Sequence, residues 1–267
     1  MIDCTRLDAL RRQRPLVHCV SNIVSANDCA NLALAVGASP MMAQWTEEAA
    51  AVTAAADATV LNTGTPDEEK YRLCLLCGQE AAALGRPVVL DPVGVGSSRR
   101  RLQSVQALLH MFTPSVLRVN LGEARALLSG ERRERGVDSP EPAPEAERRS
   151  AAVELARRRR TTVLLSGPED LITDGAAVWR TGGGSSLMAA VTGTGCMLSV
   201  LCGAFAAVTP SPLEAAVLAS AFWKACARRA EAAPGVRGPG SFRTALLDEA
   251  YGMTAGAFAA EADMRML

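Results

Sequence analysis

Short runs of aliphatic and β-branched residues alternate along the chain with longer stretches that are rich in Ala and Leu. Runs of four or five apolar residues are typical of strands buried on both faces, whereas the longer stretches have the length of helices. The alternation predicts a parallel sheet joined by helical crossovers, which is the α/β class. The predicted strands are Leu16–Val20, Ala58–Leu61, Val88–Leu90, Val116–Val119 and Thr162–Leu165.

The pattern changes after the last of these strands. Two short runs, Leu171–Thr173 and Ala177–Arg180, flank Asp174-Gly175, a dipeptide that suits a two-residue type I′ hairpin turn. We therefore expect an antiparallel extension of the sheet. The helices with the clearest patterns are 28–36, 68–84, 196–208 and 213–233.

The rest of the chain fits one domain over residues 1–267. Residues 131–149 are charged and proline-rich with no apolar period, which predicts a mobile surface connection. The N-terminal residues lack the apolar stretch of a secretory signal, and the eight cysteines lie mostly within apolar runs. These features favour a cytoplasmic protein with free thiols.

Charge composition argues against two classes of partner. Acidic and basic residues balance at 28 each, which leaves no long-range field to attract nucleic acid or an anionic membrane. The four arginines of Arg157–Arg160 end a predicted helix, where they complement the negative end of its dipole. No apolar run reaches the roughly twenty residues of a membrane span. We expect neither a nucleic-acid nor a membrane partner.

Polar and glycine residues follow directly after each predicted parallel strand. Ligands of open parallel sheets bind beyond the carboxyl ends of the strands, so these residues predict a single site on one rim. The rim residues are Ser21 and Asn22, 62–64, 91–94, 120–123, and Ser166 with Gly167.

Two rim carboxylates, Asp91 and Glu123, have two interpretations that the sequence leaves open. Each could simply cap a turn or a helix, which is the commoner role of such a residue. Their place on a shared edge instead favours a divalent cation, which prefers oxygen ligands.

The stretch VTGTGCML, residues 191–198, places a Gly-Thr-Gly turn before an apolar helix. Successive backbone N–H groups in such a turn form a donor site for a phosphate or a developing anion. The same donors would stabilise a thiolate at Cys196, which makes it the best placed cysteine for chemistry. The alternative is that the glycines only permit tight helix entry and the cysteine packs.

Other chemistry-bearing residues favour structural roles. Cys74 and Cys77 have the spacing of one pair of ligands in a metal-binding motif. The sequence has no second pair that would complete the site, so core packing is favoured. His18 lies within a predicted buried strand. Met42 follows a turn, where a soft side chain could line a ligand pocket or fill a core gap.

Seven stretches together resemble the hydroxyethylthiazole kinase family of the ribokinase-like superfamily. They occur in the family's order and approximate spacing: PLVHCVSNIV, VGASPMMA, LNTGT, LDPVGVG, RVNLGEA, VTGTGC and GPGSF. The resemblance implies a ribokinase-like three-layer α/β/α fold, with a mostly parallel sheet, an antiparallel extension and helices on both faces. It also implies transfer of the ATP γ-phosphoryl group to the primary alcohol of 4-methyl-5-(2-hydroxyethyl)thiazole.

The resemblance assigns roles to particular residues. The anion hole would be formed by Gly193, Thr194, Gly195 and Cys196, with Cys196 also a candidate acceptor of the alcohol proton. The remaining assignments are Arg118, Asn120 and Ser166 for ATP, Asn22, Met42, Gly64 and Gly193 for the thiazole, and Asp91 and Glu123 for Mg²⁺. The family also implies a homotrimer with its sites between subunits.

Three positions depart from the family pattern as we know it, and all fall on the nucleotide side. The chain has Val119 where relatives usually have Gly, Pro168 where they commonly have Glu, and Ala190 where they often have Lys. Two other functions therefore remain alternatives: another superfamily kinase that acts on hydroxymethylpyrimidine or a sugar, or a catalytically weak nucleotide- or thiazole-binding protein.

Overall fold

A computed structural model describes residues 2–130 and 143–267. In this part of the chain one nine-stranded sheet has the order β2-β1-β3-β4-β5-β6-β7-β8-β9. The first six strands are parallel and the last three are antiparallel. The strands are β1 Leu16–Val20, β2 Ser39–Met41, β3 Ala58–Asn62, β4 Val88–Asp91, β5 Val116–Val119, β6 Thr162–Leu165, β7 Asp170–Thr173, β8 Val178–Gly182 and β9 Asp263–Met266.

Helices cover both faces of the sheet, which gives the predicted three-layer α/β/α arrangement. Neighbouring residues of a strand point to opposite faces, so Val116 lies in one hydrophobic cluster and Leu117 in the other. The helices are α1 Arg6–Gln13, α2 Ala26–Val36, α3 Thr46–Ala55, α4 Glu68–Ala83, α5 Arg99–Met111, α6 Leu121–Ser129, α7 Glu145–Arg159, α8 Thr194–Ala206, α9 Pro212–Ala232, α10 Pro239–Gly252 and α11 Ala255–Glu261, with a 3₁₀ helix at Ser186–Ala190.

The two clusters divide the helices between the faces. The first contains residues of α1, α2 and α8–α11, and the second contains residues of α4–α7. Helix α8 is buried over most of its length, because it runs beneath the middle of the sheet between α2 and α9. The helix that follows the glycine turn is therefore the central helix of one layer. Throughout the described ranges, no helix combines the length and apolar composition that a membrane crossing requires.

The five predicted parallel strands are confirmed, each to within one residue at its end. The antiparallel extension is also confirmed, but the predicted type I′ turn is wrong. Thr173 pairs with Val178, so four residues connect the strands. Oδ1 of Asp174 accepts the amides of Ala176 and Ala177, both at 2.9 Å, and only Gly175 of the dipeptide has a positive φ, +93°. An Asp side chain that bonds the following amides favours this longer turn.

The predicted mobile connection of 131–149 lies mainly outside the described residues. Residues 143–149 are described, and the last five of them form the start of α7, which begins at Glu145. Acidic residues in that first turn suit the positive end of the helix dipole. The boundary of the connection was therefore placed a few residues too late.

Candidate active site

A line of hydrogen bonds crosses the carboxyl ends of three neighbouring strands. Asn22, after β1, donates from Nδ2 to Oδ1 of Asn62 at 2.9 Å, and Asn62 at the end of β3 donates to Oδ2 of Asp91 at 3.0 Å. The amide of Gly64 also donates to Oδ1 of Asn62 at 2.9 Å. A Cβ on Gly64 would lie only 2.9 Å from the side chains of both asparagines. The structure thus brings these rim residues together.

Asp91 is fully buried at the end of β4. Its Oδ2 also accepts from Oγ of Ser199 at 2.8 Å, and its Oδ1 lies 3.5 Å from Nη1 of Arg118. Burial raises the pKa of Asp91, while Arg118, Ser199 and Asn62 oppose that rise. This carboxylate is held by partners from three elements and caps no helix, so the simple capping interpretation does not describe it.

Arg118 on β5 links Asp91 to Ser166, the residue that follows β6. Its Nη2 donates to Oγ of Ser166, after β6, at 2.8 Å, and its side chain is 13 % exposed. Burial works against the charged guanidinium, but the carboxylates of Asp91 and Glu123 raise its pKa overall. Its Nε is buried with no hydrogen-bond partner in the described part of the chain. Arg118 is therefore a charged group that is held in place at the carboxyl end of β5.

Glu123 performs the capping role that the sequence left open, and it is also buried close to Asp91. It forms a capping box with Asn120 at the start of α6: its Oε2 accepts the Asn120 amide at 2.8 Å, and the Asn120 side chain accepts the Glu123 amide at 2.8 Å. Its Oε1 accepts the amide of Gly94, after β4, at 2.9 Å. Burial raises its pKa to about 8, although Arg118 opposes the rise. Glu123 is thus a cap that also places a buried carboxyl group near Asp91.

The glycine turn approaches two other parts of the site very closely. Gly193 caps α8 with a φ of +89°, a left-handed conformation that glycine adopts without strain. A Cβ on Gly193 would lie 2.8 Å from Cβ of Ser25, and a Cβ on Gly195 would lie 2.5 Å from Nη2 of Arg118. Thr194 between them is tied down, because its carbonyl accepts from Nε1 of Trp223 at 3.1 Å. A larger side chain at either glycine would therefore crowd a neighbouring side chain, Ser25 in one case and Arg118 in the other.

Cys196 lies on the first turn of α8 and is half-buried, unlike the other seven cysteines, all of which are free and buried. Its Sγ accepts from Nδ2 of Asn22 at 3.3 Å. Burial raises the pKa of its thiol and Asp91 adds to the rise, whereas Ser25, Arg118 and Asn22 lower it only in part. Burial therefore opposes the stabilised thiolate that the sequence predicts, and it has the largest effect on the pKa of this thiol.

The chain has only two lysines, Lys70 and Lys224, and both are buried beside the site. Nζ of Lys70, on α4, donates to the carbonyl of Ser21 at 2.6 Å and also to the side chain of Gln44. Burial lowers the pKa of Lys70. Its ammonium group connects the segment that precedes Asn22 with the segment after β2.

Lys224, on α9, supports the opposite end of the site. Its Nζ donates to the carbonyls of Gly167 and Pro168 at 2.7 and 2.9 Å and lies 3.2 Å from Oδ1 of Asp170. Oδ2 of Asp170 accepts from Ser220 at 2.7 Å. The backbone that follows β6 is thus fixed by a buried ion pair, and Pro168 contributes its carbonyl to that arrangement.

Met42 stands apart from the hydrogen-bonded array. It lies after the edge strand β2 and is half-buried against the first hydrophobic cluster. The segment is held from below by His18, whose Nε2 lies 3.0 Å from the Ala43 carbonyl and whose Nδ1 lies 2.9 Å from Oγ1 of Thr53. The structural role expected for His18 is confirmed. The core-packing role of Cys74 and Cys77 is confirmed as well, since both are buried.

A model of the hydroxyethylthiazole kinase family matches residues 7–256. The chain belongs to the hydroxyethylthiazole kinase family. Two relatives with the name hydroxyethylthiazole kinase are similar over most of their length. The protein of Methanocella arvoryzae is 40 % identical over 253 residues, 93 % of this chain and 92 % of its own. The protein of Methanoculleus marisnigri is 43 % identical over 249 residues, 93 % of this chain and 88 % of its own.

Solved structures agree with this family and with the fold. The hydroxyethylthiazole kinase of Pyrococcus horikoshii has a TM-score of 0.89 at 36 % identity and covers 99 % of this chain and 98 % of its own. A pyridoxal kinase of Staphylococcus aureus in complex with AMP-PCP and pyridoxal has a TM-score of 0.65 at 16 % identity, covering 94 % and 98 %. The second likeness shows the ribokinase-like fold alone. The chain is accordingly a kinase, a phosphotransferase with an alcohol acceptor.

Several residues of this kinase site were missed by sequence reasoning. Ser199 had a readable signal, because it is a lone hydroxyl within the apolar run MLSVLC and lies one turn after Cys196. Asn62 was among the predicted rim residues 62–64, but the sequence assigned it no role of its own. The lysines gave a compositional signal, since a chain that uses arginine for nearly all its positive charge keeps lysine at two positions only.

Proposed function

We propose that this protein transfers the γ-phosphoryl group of ATP to the primary alcohol of 4-methyl-5-(2-hydroxyethyl)thiazole. The observation that carries the proposal is the convergence of the α8 N-terminus with Arg118, Asp91 and Asn22 at one rim of the sheet. The names of the relatives supply the acceptor. A primary alcohol and a triphosphate need positioning and charge neutralisation more than covalent help, and this rim offers both.

The turn of Gly193, Thr194 and Gly195 would provide the anion hole. Backbone N–H groups at the start of a helix stabilise the negative charge that develops on the transferring group. Gly195 brings the helix start into contact with the Arg118 guanidinium, so a fixed positive charge lies directly behind the amides. These groups would favour the transition state without reorganising, because Ser166 and Asp91 hold Arg118 in place.

Asp91 and Glu123 fit Mg²⁺ as the partner of ATP. Burial raises the pKa of both carboxyl groups, and a bound cation would favour their charged forms. Across residues 2–130 and 143–267 no group of three or more His, Cys, Asp or Glu could hold a metal. Mg²⁺ commonly binds through one or two carboxylates together with water and phosphate oxygens, so two suffice. The ion would supply charge neutralisation on the phosphates.

The remaining roles divide between the two ends of the rim. On the nucleotide side, Arg118 and Asn120 would contact ATP, and Ser166 would contact it while orienting Arg118. On the acceptor side, Asn22, Met42, Gly64 and Gly193 would enclose the thiazole.

Cys196 would contact the acceptor alcohol. A raised pKa leaves its thiol neutral at pH 7, which makes it a poor resting base. The loose transition state of phosphoryl transfer needs little proton removal early in the reaction, so we assign most of the rate to positioning. General-base help, typically worth 10²- to 10⁴-fold, would be a smaller part of this enzyme's catalysis.

A homotrimer with its sites between subunits is part of the proposal. Several large apolar side chains near the β2 edge are exposed, and such patches commonly mark contacts between chains. They are Ile23, Val24, Leu34, Met41 and Trp45. Analytical ultracentrifugation tests the assembly, and a monomer at micromolar concentration would contradict it.

Eight free thiols agree with a reducing cytoplasmic location.

A parallel assay of ATP consumption tests the reaction itself. The purified protein, with Mg²⁺, is given the thiazole alcohol, hydroxymethylpyrimidine or ribose, and the phosphorylated product is identified by mass spectrometry. We expect turnover with the thiazole alcohol only. Turnover with another alcohol would assign a different acceptor, and ATP binding without turnover for any alcohol would make the protein a catalytically silent binder.

A further inference from the structure

Ser25 occupies a helix-capping position without performing the capping role. It is the N-cap residue of α2, where a serine hydroxyl ordinarily accepts a hydrogen bond from an amide of the first turn, yet its side chain makes no such bond. The residue is 1 % exposed, and its Oγ pairs with no nitrogen or oxygen atom among residues 2–130 and 143–267; the thiols of Cys196 and Cys29 are the groups within its reach. A buried hydroxyl that bonds neither nitrogen nor oxygen is costly, which makes a thiol its natural partner.

The side chain of Ser25 faces the start of α8. The position of a Cβ on Gly193 would be 2.8 Å from Cβ of Ser25 and 4.0 Å from its Oγ. The same hydroxyl is among the groups that lower the pKa of the Cys196 thiol against the larger effect of burial. Ser25 therefore lies within reach of the one half-buried cysteine of the site.

Asn22 fixes both partners of this arrangement. Its Oδ1 accepts the Ser25 amide at 3.1 Å, and its Nδ2 donates to Sγ of Cys196 at 3.3 Å. One side chain thus sets the backbone of Ser25 and the position of the sulfur together. The Ser25 hydroxyl is a second polar group that acts on the same sulfur.

We propose that Ser25 is a positioning residue that acts through Cys196. Its hydroxyl, which can donate or accept, pairs with the thiol and keeps the sulfur directed at the acceptor alcohol when substrate fills the site. The inference rests on the proposed function, in which Cys196 contacts that alcohol. Cys29 is the competing partner, because it lies one turn further along α2, and the test separates the two.

The test is a double-mutant cycle of Ser25→Ala and Cys196→Ala, with kcat and KM measured for both substrates. We expect Ser25→Ala to lower kcat about tenfold while the KM for ATP stays unchanged, as for loss of one hydrogen bond in a polar site. In the Cys196→Ala background the serine substitution should have no further effect, since its partner is gone.

Ser211→Ala is the matched control. Ser211 caps α9 with a real bond, its Oγ accepting the Glu214 amide at 3.3 Å. This control should lower the melting temperature and leave kcat unchanged. Ser25→Ala should instead lower kcat and leave the melting temperature unchanged. Iodoacetamide labelling of Cys196, followed by peptide mass spectrometry, adds a measurement that needs no turnover: labelling should slow several-fold in Ser25→Ala and remain normal in the control.

The outcomes distinguish this inference from the function on which it rests. Normal turnover and labelling in Ser25→Ala, together with slow turnover in Cys196→Ala, would overturn only the role of Ser25. An equal loss in both backgrounds would also overturn it and would point to Cys29 or to packing. Normal turnover in Cys196→Ala would overturn the assignment of the cysteine, and with it the inference.

Discussion

Replacing Gly195 with Ala tests whether the start of α8 and Arg118 act as one unit. The added Cβ would lie 2.5 Å from Nη2 and 2.7 Å from Cζ and Nη1 of Arg118. To regain ordinary van der Waals distance, the guanidinium must move by roughly 1 Å. That movement weakens its 2.8 Å bond to Ser166 and its pairing with Asp91.

Two opposing effects set the magnitude. Alanine is favoured over glycine within a helix by about 1 kcal/mol. Against this, crowding a buried site costs about 1–3 kcal/mol, and each hydrogen bond of a charged group is worth about 1.5–3 kcal/mol. We expect a net loss of stability of about 1–3 kcal/mol, because only part of each contact is lost. Since the displaced cation would lie next to the proposed anion hole, kcat/KM for ATP should fall about 10- to 100-fold.

Urea denaturation and steady-state kinetics measure the two effects. Gly256→Ala is the control, because Gly256 also lies in a helix, α11, and a Cβ there meets nothing within 4 Å. The control should keep wild-type kinetics with unchanged or slightly higher stability. If Gly195→Ala matched the control in both respects, the guanidinium would be free to shift without consequence, and the reasoning about a preorganised cation would be refuted.

Three further substitutions test the buried basic residues around the rim. Lys70→Arg should raise the KM for the thiazole alcohol several-fold, because a planar guanidinium cannot reproduce the compact ammonium that meets the Ser21 carbonyl; an unchanged KM would contradict this. Lys224→Arg should instead raise the KM for ATP, because it disturbs the Gly167 carbonyl on the nucleotide side, and an effect on the alcohol alone would count against it. Burial lowers the pKa of His18 in the folded state, whereas in the unfolded chain it titrates near 6.5. As pH falls below about 6.5 the unfolded state gains a proton that the folded state lacks. The free energy of unfolding, measured by urea denaturation, should therefore fall more steeply between pH 7 and 5 for wild type than for His18→Gln. Equal slopes would refute this.

The parallel half of the fold was predictable because its strands are buried on both faces. Continuous apolar runs such as VVL at 88–90 leave little ambiguity about the element they form. The edge strands were missed for the opposite reason. β2, with the sequence SPM, and β9, with the sequence DMRM, are short and partly exposed, so neither shows an apolar run or a clean alternation. Their positions depend on a neighbouring strand rather than on their own composition.

The site divides in the same way. Residues that directly follow parallel strands, such as Asn22, Asp91 and Asn120, were predictable because topology alone places them on one rim. Ser25 was not, because its place depends on a close approach between the start of α2 and the start of α8, which are far apart in sequence. The need for glycine at 195 likewise depends on the distance between this position and the Arg118 guanidinium, and no local sequence pattern encodes that distance.

Cys196 shows how one correct local argument can be outweighed by burial. Its place at a helix N-terminus favours a thiolate, and Arg118 and Asn22 favour it further. The same close packing that brings these groups within reach also removes water and places Asp91 nearby, and these two effects raise the pKa of the thiol. In the proposed function the cysteine would therefore contribute by where it lies rather than as a resting thiolate.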